Sequence, residues 1–169
     1  MSLSVSTLVN AVLAQSFTGL TGVLEKGAAY AKSKNIEEAV LLNWRLAPDM
    51  FSMTRQVQIA TDIPSRGMAR LAGADLPSFP DTETTFEQLR QRVSKAHAFI
   101  KDLDKAKIDA NPEGDISFPV GPETMTMKRR QYALNFILPN LYFHVTMAYA
   151  NLRACGAPIG KSDFLARPR

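Results

Sequence analysis

The chain has 169 residues, of which 46% are hydrophobic and 21% are charged, and its formal net charge is +4 at pH 7. This composition is typical of a folded globular protein and excludes a disordered chain. The longest purely apolar runs are far shorter than the roughly 20 residues that cross a bilayer, so we expect no membrane-spanning segment. The 20 basic residues are spread along the chain, which argues against a nucleic-acid partner.

The sequence contains one cysteine, Cys155. A single cysteine excludes a disulfide within the chain and any cysteine cluster for a metal ion. The N-terminal segment has no basic start of the kind that a secretory signal needs. We therefore expect a cytoplasmic protein that folds as one domain over residues 1–169.

Proline, glycine and apolar spacing predict the first two helices. Apolar residues recur at steps of three and four over residues 3–32, which predicts a long first helix. Pro48 and Asp49 predict the start of a second helix. In the first turn the missing N–H of proline costs no hydrogen bond, and a carboxylate there complements the helix dipole. Pro64 predicts a kink or an interruption of this helix. Gly73 predicts its end.

The second half of the chain predicts two more helices and a hairpin. Thr85 and Gln88 have the spacing of a capping box, which predicts the start of a third helix. Apolar and polar residues alternate over residues 116–127 on both sides of a GPE turn, which predicts a short β-hairpin. A fourth helix is predicted over residues 128–155, bent by Pro139. This pattern predicts an all-α four-helix bundle with one hairpin between helices three and four.

Helix four carries a stripe of polar residues among apolar ones. At about 100° per residue, Asn140 and His144 lie about 40° apart, and Asn151 lies within about 20° of Asn140. The other sides of the helix are apolar, so this stripe is not its solvent face. Asp49 and Gln56 have a spacing that turns them to one side of helix two. We therefore predict a small-molecule pocket between helices two and four, lined by these five residues.

His144 is the candidate catalytic residue of this pocket. An imidazole with an unperturbed pKa near 6.5 exchanges protons at neutral pH, so His144 would serve as general acid or base. The alternative is that the stripe is internal hydrogen bonding. In that case His144 is a satisfied core histidine, and Asn140 hydrogen-bonds a carbonyl freed by Pro139. His97 is interpreted as structural or exposed.

Several segments resemble a known family. The stretches LAPDMFSMTRQVQIATD, DTETTFEQL and LPNLYFHVTMAYANLRACGAPIGKSDFL are similar to the family called domain of unknown function 1993. That family is placed in the DinB/YfiT-like superfamily of four-helix bundles, many of which are described as metalloenzymes, some as thiol-dependent transferases or isomerases. The resemblance implies a DinB/YfiT-like bundle that forms a homodimer.

The resemblance also implies a degenerate metal site. Metal-binding members use a histidine from helix two and an H-x-x-x-H pair on helix four, twelve residues before the glycine of LRxxG. Counting back twelve residues from Gly156 places His144 at the second histidine of the pair and Asn140 at the first, and residues 46–63 contain no histidine. Carboxamides are poor substitutes for imidazoles. We therefore predict no metal ion and no cofactor.

Overall fold

The structure, a computed structural model, describes residues 4–167. Its elements in chain order are α1 (Val5–Ser33), α2 (Glu38–Leu42), α3 (Met53–Ala72), α4 (Phe86–Asp102), α5 (Lys105–Asp109), β1 (Asp115–Val120), β2 (Glu123–Lys128), α6 (Arg129–Gln131), a π-helical segment (Tyr132–Ile137), α7 (Leu138–Ala154) and α8 (Lys161–Phe164). The long helices α1, α3, α4 and α7 form the bundle, which confirms the predicted all-α class with its hairpin. Leu3, where the first helix was predicted to begin, lies outside the described residues.

The core lies between the four long helices. Helix α1 packs on α4 and α7, and α3 packs on α4 and α7. By length and composition α1 could cross a membrane, with a mean hydropathy of 1.3 over its best window, but 44% of that window is buried inside the bundle. Its apolar face, which includes Leu13, Phe17 and Leu24 at 1% exposure or less, therefore serves the core.

Helix α3 begins five residues later than Pro48, so the prediction for its start is wrong. Ser52 is the N-cap, and its side chain accepts a hydrogen bond from a backbone N–H of the first turn. A capping hydroxyl satisfies a donor that the helix itself leaves unpaired, which favours a start at Met53. Pro48 and Asp49 lie instead in a turn closed by a backbone hydrogen bond across residues 47–50.

Pro64 does not interrupt α3, which runs unbroken from Met53 to Ala72. Proline removes one backbone donor from the helix. Helix α3 is held along its length by packing on α4 and α7, and Pro64 itself is buried. The stability gained from this packing outweighs the tendency of Pro64 to interrupt the helix. Gly73 ends the helix with φ 63°, in the left-handed region, as predicted.

Pro139 is accommodated by a change of helix type. Predicted helix four is α6, a π-helical segment and α7 in succession, and the N–H of Leu138 bonds to the carbonyl of Ala133, five residues earlier. A π-helical turn shifts the hydrogen-bond pattern by one residue. The N–H that Pro139 lacks therefore falls where the pattern returns to α-helical.

The capping box and the hairpin are both confirmed. The Thr85 side chain accepts from the backbone of Gln88, whose side chain accepts from the backbone of the cap. Strands β1 and β2 pair antiparallel from Asp115 with Lys128 to Val120 with Glu123. Phe118 of β1 is buried, and its ring centroid lies 4.2 Å from that of Tyr132. The hairpin thus packs on the π-helical segment.

The last described segment, residues 160–167, returns along α1, and we call it the tail. The Lys26 ammonium forms an ion pair with Asp163, and the Gln15 amide donates to a tail carbonyl. The tail lies so close to α1 that a Cβ at Gly19 would be 2.2 Å from the carbonyl oxygen of Phe164. Gly19 therefore has a packing reason in the middle of a helix.

Candidate functional site

A buried hydrogen bond joins α3 and α7. His144 Nδ1 lies 2.7 Å from Gln56 Oε1, and the two residues are 7% and 1% exposed. The Gln56 Nε2 donates to the carbonyl of Phe51 at 3.3 Å, so its amide oxygen faces the imidazole. Because an amide oxygen only accepts, Nδ1–H is the donor. The Nε2 lone pair of His144 has no hydrogen-bond partner among residues 4–167.

Burial changes the protonation chemistry of His144. Desolvation, with a smaller contribution from the positive charge of Arg55, lowers the pKa of His144 to about 4. The imidazole is therefore neutral at pH 7. The acid or base role assigned to His144 assumed an unperturbed pKa near 6.5, which the ligand-free site does not have. In this site His144 is a fixed hydrogen-bond acceptor at Nε2.

Asp49 lies outside α3, and Asn140 is hydrogen-bonded to its own helix. Asp49 is exposed in the turn before α3, so the prediction that it shares a helical face with Gln56 is wrong. The Asn140 side chain donates from Nδ2 to the carbonyl oxygen of Phe136 at 2.8 Å. This bond supports its own helix beside the π-helical segment, which agrees with the structural interpretation of Asn140.

Asn151 shares the inner side of α7 with His144. The two residues are seven positions apart, which places them about 20° apart around the helix and about 10 Å apart along it. Asn151 is 1% exposed, and within the described part of the chain neither end of its amide has a hydrogen-bond partner. The polar stripe is thus confirmed as buried at these two positions. An unpaired buried amide of this kind costs about 1–3 kcal/mol.

The residues around His144 do not fit a metal ion. No group of three or more histidine, cysteine, aspartate or glutamate side chains that could hold one occurs in residues 4–167. The polar partner of His144 is the Gln56 carboxamide, and the Asn140 amide is already bonded to its helix. A transition metal needs three or more imidazole, thiolate or carboxylate ligands, which this donor set does not supply.

Two grooves on the described surface lie away from His144. One, of about 860 Å³, lies between α1, α4 and the tail, and the other, of about 390 Å³, lies beside the end of α3. Neither is lined by His144 or Gln56. Two exposed aromatic residues adjoin the His144 and Gln56 pair instead. Phe143, whose ring centroid is 5.1 Å from that of His144, is 55% exposed, and Phe51 is 54% exposed.

A second polar cluster, centred on Arg92 of α4, was not predicted from the sequence. The Arg92 side chain is 2% exposed and pairs with Asp62 at 2.6 Å and Glu83 at 2.9 Å. Its Nε donates to Thr61 Oγ1 at 2.8 Å. Burial raises the pKa of Asp62, against the opposing effect of the Arg92 charge. The cluster joins α3, α4 and the segment between them.

Helical spacing gave a signal for Arg92. It follows Leu89 by three residues and precedes Ala96 by four, so it lies on the apolar face of α4. A charged residue on such a face is almost never fully buried unless it is paired. The cluster reaches towards the His144 site through Arg55, which bonds both Asp81 at 2.5 Å and Gln58 at 3.2 Å.

The arrangement of the four long helices and the hairpin has a counterpart among solved structures. A crystal structure of a DinB family member protein from Shewanella denitrificans is similar to this chain with a TM-score of 0.85 and 34% identity, covering 95% of this chain and 90% of that one. The model of the family Domain of unknown function (DUF1993) matches residues 7–165. The chain belongs to that family. No curated protein matches it.

Proposed function

We propose that this DinB-like protein acts in the cytoplasm, without a metal ion or cofactor, and binds a small molecule beside His144, between α3 and α7. The ligand that the site favours has an apolar body and an acidic hydroxyl group. One observation carries the proposal. The 2.7 Å bond from His144 Nδ1 to Gln56 Oε1 holds the imidazole in one tautomer and leaves its Nε2 lone pair unpaired.

The neighbouring residues suit a hydroxyl that is a strong hydrogen-bond donor. The neutral imidazole accepts its hydrogen bond, and the Arg55 charge, close enough to affect His144, favours negative charge on its oxygen. The exposed rings of Phe51 and Phe143 offer contacts to an apolar body. These contacts support binding at the protein surface.

The pKa of His144 favours binding over catalysis. A general base works best when its pKa is near the working pH, and the pKa of about 4 for His144 is well below neutrality. An anion beside the imidazole would raise that pKa. A catalytic role for His144 would therefore depend on the ligand itself carrying a negative charge.

The proposal is tested by nitrogen-15 NMR of the imidazoles, with p-cresol and toluene as paired probes. The chain has two histidines, so His97 is an internal reference. We expect the free protein to show the Nδ1–H tautomer at His144. We expect p-cresol to shift the Nε2 resonance of His144 while toluene, which lacks the hydroxyl, does not. In His144→Ala the binding of p-cresol should fall by about tenfold, as expected for the loss of one hydrogen bond.

Two outcomes would contradict small-molecule binding of this kind. One is an Nε2 resonance that responds equally to p-cresol and toluene, or to neither. The other is p-cresol affinity that is unchanged in His144→Ala. His97→Ala is the control variant and should bind p-cresol as the native protein does.

A second candidate function is that of a non-catalytic homodimer, which an exposed apolar surface favours. Five large apolar residues, 42% to 55% exposed, lie before α3 and on α7: Trp44, Leu46, Phe51, Tyr142 and Phe143. Apolar residues that are grouped at a surface mark interaction sites more often than single ones do. In this alternative a second copy covers the surface, and the bond between His144 and Gln56 is internal support.

The homodimer is tested by sedimentation equilibrium. If the second candidate holds, the native protein has twice the 18.6 kDa mass of the chain. Phe143→Lys should then weaken the dimer by about tenfold or more, because it places a charge in an apolar contact. Leu8→Lys, at another 38% exposed apolar position, is the control and should leave the dimer intact. A monomeric native protein at high micromolar concentration would exclude this candidate.

A further inference from the structure

The groove of about 860 Å³ has no part in the function proposed for His144. Its floor is α1, one wall is α4, and the other wall is the tail, so we call it the α1–tail groove. Its volume lies within the range of about 300–1,000 Å³ that is usual for small-molecule sites. Phe17 and Val93 lie at its base, and each is only 1% exposed.

A glycine on the floor of the α1–tail groove lacks a packing reason. Helix α1 carries Gly19, Gly22 and Gly27, and a glycine inside a helix is destabilising relative to alanine. At Gly19 and Gly27 a Cβ would lie 2.2 Å from Phe164 O and 2.8 Å from Phe86 Cε1. At Gly22 a Cβ would meet nothing within 4 Å. Close packing therefore explains Gly19 and Gly27, whereas the absence of a side chain at Gly22 leaves space in the groove.

The two walls of the α1–tail groove differ in charge. Beside α4, Arg90 is shared by two carboxylates, Glu25 at 2.6 Å and Glu87 at 2.8 Å, so this group has one excess negative charge. On the tail, Arg167 lines the groove and has no ion pair with any residue from 4 to 167. The remaining two charged residues of the lining, Lys26 and Asp163, pair with each other, so the groove is negative beside Arg90 and positive at Arg167.

A histidine in the same groove is held against its apolar floor. The ring centroid of His97 lies 5.8 Å from that of Phe17 in an edge-to-face arrangement. Burial, with the charge of Lys101, lowers the pKa of His97, so this imidazole adds no positive charge at pH 7. The charge difference between the walls is consequently kept at neutral pH.

We propose that the α1–tail groove binds a short peptide with free termini. Its ammonium group faces Glu25 and Glu87, its carboxylate faces Arg167, and a side chain of the peptide occupies the space that Gly22 leaves open. A ligand with one charge of each sign matches the two walls, whereas a simple anion or cation matches only one. The site is separate from His144 and does not depend on the function proposed there.

The experiment is calorimetric titration of the full chain with the tripeptide Gly-Leu-Gly, its N-acetyl form and its C-terminal amide. We expect the free tripeptide to bind, and each cap to weaken binding by at least fivefold because it removes one charge-assisted contact. Arg167→Gln should remove the difference between the free and amidated peptides. His144→Ala should bind as the native protein does, which separates this site from the one beside His144.

A paired substitution on α1 tests the space at Gly22. Gly22→Leu should abolish binding without lowering the melting temperature, because its Cβ meets no atom within 4 Å and the rest of the side chain extends into the groove. Ala29→Leu places the same side chain at an exposed position of the same helix and should leave binding unchanged. The proposal would be overturned by no binding of Gly-Leu-Gly, by equal binding of all three peptides, or by native affinity in a folded Gly22→Leu protein.

Discussion

Replacement of Arg92 with leucine is expected to lower the free energy of unfolding by about 3 kcal/mol or more. The Arg92 side chain is 2% exposed, and its guanidinium bonds Asp62, Glu83 and Thr61. Leucine fills part of the volume but leaves these carboxylates without their counter-charge. Removal of one partner of a buried ion pair is strongly destabilising, because the charge of the other partner stays partly buried without a counter-charge. Urea unfolding followed by circular dichroism measures the change.

Arg90→Leu is the matched control for this prediction. Arg90 lies two residues away on α4 and also bonds two carboxylates, but its side chain is 35% exposed and both partners are more exposed still. Exposed ion pairs contribute about 0–1 kcal/mol, so the loss should be within that range. Equal losses for the two variants would show that burial of Arg92 does not matter, and the stabilising role given to its cluster would be wrong.

The protein is expected to lose about 3 kcal/mol of stability as pH falls from about 6.5 to about 4, owing to His144 alone. Burial holds the pKa of His144 at about 4 in the folded state, below the 6.5 of the unfolded chain. Between these values the unfolded state binds the proton and the folded state does not, so acid favours unfolding. This contribution is complete above pH 6.5 and is lost as pH falls through the folded pKa. Urea unfolding at intervals of half a pH unit measures it.

His144→Gln separates this effect from that of the carboxylates, which also titrate near pH 4. A glutamine at position 144 does not titrate, so the curve of stability against pH should be flatter than the native one between pH 4 and 6.5. His97→Gln is the control. His97 also has a lowered pKa, but it is partly exposed, and we expect its removal to change the curve less. Parallel curves for the native protein and His144→Gln would contradict the burial of a neutral imidazole.

Much of the fold followed from local sequence because local interactions decide it. Apolar spacing of three and four residues predicted the long helices, and the capping box at Thr85 and Gln88 predicted one helix start. The alternation over residues 116–127 predicted the hairpin. The start of α3 was misplaced because two local signals compete there. The Ser52 cap prevailed over Pro48, which fits the preceding turn equally well.

The candidate site was predictable in part, because the periodicity of a helix is also a local property of the sequence. The period of a helix is enough to turn His144 and Asn151 to one side of α7, and both are buried. Their partners depend on another helix. That Gln56 meets the imidazole follows from how α3 lies against α7. Asp49 lies in the turn before α3 and not on the helix. The Asn140 side chain is hydrogen-bonded to a carbonyl of its own helix.

Residue order alone was sufficient for the four long helices apart from the start of α3, for their apolar faces and for the hairpin, since these depend on neighbours within a few residues. Packing between distant segments determined the rest. It keeps α3 continuous through Pro64, buries Arg92 among carboxylates from two other segments, and brings the tail against α1 to form a groove. Each of these features joins residues far apart in sequence, and their energies depend on burial, which no short stretch of sequence determines.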